Sequence, residues 1–187
     1  MKSVLAVQPD LAATSVALFE LAGWQATEPF DRVLARLRMT DVVRTSPSEP
    51  LPVRLRALAG GLDRILAAAR DSLWAVTVVY LELPRLSNWY ETRPQEGGGD
   101  ISADELFLMY MASGALMAAA VTRGVEVRIA DCPALPRGVR REVVARGLAA
   151  LRHPLGPYSH ADRHVLDAIW LGASCLTNSD QRPQPTV

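Results

Sequence analysis

The feature that most constrains this chain is the run WAVTVVYLEL, Trp74 to Leu83, which an amphipathic segment enters directly. The run is almost unbroken in β-branched and large apolar residues, so as a strand it must be covered on both faces. Upstream, Leu55, Leu58, Leu62, Ile65, Leu66 and Ala69 recur at helical spacing between Val53 and Arg70, with Arg56, Asp63, Arg64 and Arg70 between them. That pattern is an amphipathic helix. A helix feeding a doubly covered strand is half of an α/β unit.

The remaining elements fit the same class. Val4 to Val7 and Thr14 to Phe19 read as two strands of a hairpin, with Asp10 to Ala13 as the turn. Trp24 to Thr27, after Gly23, reads as a third strand, and the proline- and serine-rich stretch from Asp41 to Pro52 as a loop. A second loop, PRLSNWYETRPQEGGGD, precedes a helix from about Ala103 to Thr122 that Ser102 caps and Gly124 ends. VEVRIA is then a strand, and helices follow at Arg137 to Leu151 and His160 to Leu176. The predicted order β-β-β-α-β-α-β-α-α implies a mixed sheet flanked by helices in one domain over residues 1–177, with residues 178–187 a disordered tail.

Composition narrows the partners. The chain of 187 residues carries 20 basic and 20 acidic side chains, so any nucleic-acid contact must come from a local patch rather than a net field. Cys132 and Cys175 match no metal or redox spacing, which predicts a reducing, cytoplasmic setting. The uncharged stretch from Leu106 to Val121 falls short of the roughly 20 residues a membrane span needs, so no membrane partner is expected.

The chemistry-bearing residues cluster at element ends. In SHADRHVLDAIW, His160, His164 and Asp167 share one helix face at i, i+4 and i+7, while Asp162 lies opposite and complements the helix start. That face is open to three readings: a solvated polar stripe, a zinc site with a third ligand from elsewhere, or part of a site for a harder cation. Glu82 sits at the carboxyl end of the apolar strand, where an unpaired buried carboxylate is costly. It either pairs with an arginine such as Arg85, caps a helix, or faces a cation shared with Asp167. Two carboxylates and a histidine suit Mg²⁺ or Mn²⁺, whose chemistry is phosphodiester hydrolysis by a metal-activated water.

These stretches, in this order, resemble the RuvC-type Holliday-junction resolvases of the RNase H-like nuclease fold. VLAVQPD resembles that family's first strand, which normally reads apolar-apolar-Gly-Val-Asp-Pro-Gly; VVYLELPRL resembles the strand bearing the second acidic residue; HVLDAI matches the final helix. The resemblance spans about Lys2 to Leu176. It implies an RNase H-like mixed five-stranded sheet, a homodimer acting on branched DNA, and a two-metal Mg²⁺ or Mn²⁺ site with Glu82, His164 and Asp167 as ligands and catalytic groups. The departure is Gln8, which stands where the resemblance implies the first aspartate. An amide offers a neutral oxygen and no charge to a metal. Asp10 either supplies the missing carboxylate from a shifted strand end or terminates the strand in a turn.

The resemblance therefore implies a structure-specific endodeoxyribonuclease, or a degenerate relative that binds branched DNA or serves as a scaffold. For DNA contact the candidates are Arg137, Arg140, Arg141, Arg146 and Arg152 on the basic helix, balanced in part by Glu142. A second group is Arg85, Trp89, Tyr90 and Arg93 in the loop beside Glu82, whose aromatic rings could stack on unpaired bases or pack in the core. The uncharged helix at Leu106 to Ala120 is a candidate dimer interface and equally a buried crossover helix. A small-molecule α/β enzyme fits less well, because no glycine-rich phosphate loop follows the first strand.

Overall fold

The computed structural model describes residues 1–25, 27–83, 103–130, 137–155 and 163–177. Its strands are β1 (Lys2–Gln8), β2 (Ala13–Glu20), β3 (Leu37–Arg44), β4 (Ala75–Glu82) and β5 (Glu126–Ala130). Its helices are α1 (Phe30–Leu34), α2 (Leu51–Asp71), α3 (Ala103–Thr122), α4 (Arg137–Ala150) and α5 (Arg163–Thr177). The strands form one sheet in the order β3-β2-β1-β4-β5. β1–β2 and β2–β3 pair antiparallel, whereas β1–β4 and β4–β5 pair parallel. The sheet is mixed and five-stranded, as the sequence implied.

Strand alternation sorts the core into two layers. Val4, Ala6, Ala17, Phe19, Val78 and Tyr80 pack with residues of α1, α4 and α5. Leu5, Val7, Val16, Leu18, Val79 and Leu81 pack with α2 and α3 on the other face. β1 and β4 therefore lie between helices on both sides, which is why both are continuous apolar runs.

Two expectations need correction. Trp24, Gln25 and Thr27 are not in a strand, and the third strand is β3, whose first half had no strand signal and whose second half lies in the stretch read as a loop. β3 is an edge strand, so its polar residues keep one side wet, and its register shifts against β2 between Leu18 and Phe19. Leu37 pairs with Phe19 and Met39 with Leu18, so Arg38 interrupts the alternation that would have marked it. The five-residue α1 before it was also unforeseen. Ser102, the glycine-rich loop, His160 and residues 178–187 lie outside the described residues.

Two glycines shape the fold. Gly124 takes φ +72°, the left-handed turn that ends α3 and turns the chain into β5. A Cβ on Gly172, in the middle of α5, would overlap the Phe19 ring and come within 3.0 Å of Ala6 Cβ. The bare backbone lets α5 lie directly on β1 and β2.

His153, just beyond α4, closes the opposite side of this layer. Its Nε2 lies 3.1 Å from the Leu37 carbonyl, and the Leu155 N–H donates to Nδ1 at 3.2 Å. These contacts select the neutral ring with its proton on Nε2, since the Nδ1 lone pair is in use. Burial, helped by the Arg38 charge, holds the imidazole below its ordinary value, against the opposing pull of the Leu37 carbonyl. The unfolded chain then takes up this proton first as the pH falls. Stability from His153 is complete above the ordinary value of about 6.5 and declines below it. Melting temperature should accordingly drop more between pH 7.5 and 5.5 in the parent than in His153→Phe.

Candidate functional site

The site forms where parallel β1 and β4 end side by side. Val7 pairs with Leu81, so Gln8 and Glu82 close the same edge of the sheet. By alternation Gln8 follows Val4 and Ala6, and Glu82 follows Val78 and Tyr80, onto the face covered by α4 and α5. α5 brings Asp167, 8% exposed, to the same layer. Its start is tied down by Ser15 on β2, the register partner of Gln8, whose hydroxyl donates to the His164 carbonyl at 2.6 Å. Gln8, Glu82 and Asp167 thus lie on one face of the sheet, at the strand ends and on the helix that covers them.

Both carboxylates are held by arginines from α4. Arg141 grips Asp167 with a two-pronged fork, Nε donating to Oδ1 at 2.9 Å and Nη2 to Oδ2 at 2.5 Å. Arg140 Nη1 donates to Glu82 Oε1 at 3.2 Å. The Arg141 and Asp167 side chains are 24% and 9% exposed, and those of Arg140 and Glu82 12% and 23%. These pairs are largely removed from water, where charge interactions are screened least. Consecutive helix residues diverge by about 100°, which lets neighbouring arginines reach carboxylates on two different elements.

Gln8 completes the arrangement without charge. It is 6% exposed, and its Oε1 is buried with no hydrogen-bond partner among the described residues. Asp10 lies in the hairpin turn, where Oδ1 accepts the Ala12 N–H at 2.7 Å and the Ala13 N–H at 3.2 Å. Its carboxylate is thus used by the turn backbone, in an Asx-type contact. His164 is half-buried and enters the site through its main-chain carbonyl.

Of the predicted DNA contacts, Arg140 and Arg141 turn inward to the carboxylates. Arg146 stays on the surface, paired with Glu142 one turn away. Arg137 opens α4, and Arg152 follows its end with φ +49°. Arg85, Trp89, Tyr90 and Arg93 lie outside the described residues. Sequence reasoning missed Ser15 and the inward role of the α4 arginines. The only sequence signal for Ser15 was a small polar residue within an apolar strand.

The donor set among the described residues does not suit a pair of divalent cations. Among the described residues no three His, Cys, Asp or Glu side chains come together to hold a metal ion. The two carboxylates present are already satisfied by guanidinium groups, and the third oxygen is a neutral amide. Hard divalent ions favour several oxygen ligands with uncompensated negative charge.

Solved structures match nearly the whole chain, among them two of RuvC. T. thermophilus RuvC in complex with a Holliday junction substrate superposes with a TM-score of 0.63 at 18% identity, over 95% of this chain and 94% of that one. A Thermus thermophilus RuvC structure gives 0.62 at 21% identity, over 94% and 93%. No family model and no curated protein sequence matches the chain. The chain has the RuvC fold, a mixed five-stranded sheet flanked by helices.

Proposed function

We propose that this protein binds branched DNA, of the Holliday-junction type, through a RuvC-like fold that no longer hydrolyses it. The observation that carries this reading is the closed charge at the site: Asp167 in the fork of Arg141, Glu82 on Arg140, and Gln8 uncharged between their elements. The DNA part is supported by the likeness to RuvC held with a Holliday junction substrate. Surface arginines such as Arg146 supply phosphate contacts that position DNA without reading sequence.

One observation favours the alternative, a metal-dependent junction endonuclease using Mg²⁺ or Mn²⁺. Gln8 Oε1, on the face where Glu82 and Asp167 lie, is a buried acceptor without a partner among the described residues, which calls for an explanation. A gel assay with a labelled four-way junction and a matched linear duplex separates the readings. The expected result is retention of the junction over the duplex, with no cleavage in Mg²⁺ or Mn²⁺. Cleavage that disappears in Glu82→Gln would establish the nuclease, and equal retention of both DNAs would sink the branched-DNA reading.

The second proposed partner is another copy of the chain. α3 buries Ala112, Leu116 and Ala120 in the core but leaves Phe107, Tyr110, Met111 and Val121 exposed. This helix is long and apolar enough to cross a membrane by length and composition, yet its inner face packs with α2 and the sheet. A twofold pairing along the outer stripe would cover it, as fits a target with two equivalent strands. Light scattering should give twice the chain mass, and Met111→Glu should return it to the monomer value.

A further inference from the structure

The site's carboxylates already have cations, and those cations belong to the chain. We infer that the Arg140 and Arg141 guanidiniums take the place of divalent ions, closing the Glu82–Asp167 pair to Mg²⁺ and Mn²⁺. Under the branched-DNA reading above, on which this second part rests, DNA docks over the site without them.

Charge and geometry both point this way. Among the described residues the two guanidiniums balance the two carboxylates and Gln8 adds no charge, so this group needs no bound ion to be neutral. A bare carboxylate pair would repel an approaching phosphate, and a neutral cluster does not. To enter, a divalent ion would have to expel both arginines, shed water and accept an amide in place of a third carboxylate. The Arg141 fork matches carboxylate geometry with two parallel bonds. Expelling it would leave its guanidinium, only 24% exposed, without that partner. The same two pairs tie α4 to β4 and α5.

The test is calorimetric titration of Mn²⁺ into the DNA-free full chain and into an Arg140→Gln/Arg141→Gln variant. The parent should show no binding up to millimolar Mn²⁺. The variant should gain a site that is lost again when Asp167→Asn is added. Binding by the parent that vanishes in Glu82→Gln would overturn the inference, as would a folded variant that gains no site. Should the variant be unfolded, recovery of a cooperative melt on adding Mn²⁺ supports the inference and failure to recover counts against it. Junction retention is measured alongside in EDTA and in Mg²⁺. Retention in EDTA should be at least as strong as in Mg²⁺, which competes with the arginines for phosphate, and a requirement for Mg²⁺ would overturn metal-free docking. If no junction is retained in either buffer, the branched-DNA reading falls, while the titration still decides whether the arginines replace the ions.

Discussion

Arg141→Leu is expected to lower the unfolding free energy by about 3 kcal/mol, because it leaves a buried carboxylate without its partner. Asp167 is 8% exposed, and the described residues offer it the Arg141 fork as its hydrogen-bonded counter-charge. The effect should appear as a lower urea midpoint at unchanged slope, which marks lost stability rather than an altered unfolded state. Adding Asp167→Leu should recover most of the loss, since an apolar pair removes the stranded charge. Arg146→Ala is the control: its pair with Glu142 is 79% and 58% exposed, and the change should stay within about 0.5 kcal/mol. A small effect at Arg141 would mean that water reaches Asp167 and that the pair contributes little.

Gly172→Val should cost a comparable amount, about 3 kcal/mol, by overpacking. The new Cβ would run into the Phe19 ring, which is fully buried, and into Ala6 on the central strand. Neither neighbour can give way easily, because Ala6 is part of the β1 ladder and Phe19 is enclosed by the core. For a chain of this size the loss amounts to roughly 10 °C in melting temperature. The substitution also tests how the site is built, because α5 carries Asp167 five residues before Gly172. A lifted helix should weaken the Ser15–His164 tie and the Arg141 fork together. Folded protein should then exchange the amides at the start of α5 faster than the parent does. An unshifted melt would show that α5 does not rest on Phe19 and Ala6.

The legible parts of the fold were those where one local pattern sufficed. β1, β2 and β4 are apolar runs because they are buried on both faces, and α2 shows its buried stripe directly. β3 was not legible, because an edge strand with a register shift at Arg38 has no clean alternation and its Asp41 and Arg44 resemble loop residues. At the site, Glu82 and Asp167 stood out as acids in apolar surroundings, and Gln8 as a polar residue ending a core strand. What could not be read was which cation meets them. The α4 arginines resembled a solvent-facing basic stripe, and nothing local distinguishes Arg140 and Arg141, which turn inward, from Arg146, which does not.

The sequence by itself determined the mixed α/β class, the strand end bearing Glu82, the helix bearing Asp167, and the absence of a carboxylate at Gln8. Each follows from residue type and period within a single element. Tertiary structure alone decided that Asp167 lies in the fork of an arginine 26 residues away and Glu82 beside one 58 residues away. The reason is physical: an ion pair between distant elements depends on how α4 docks against β4 and α5, and that docking is set by the packed core.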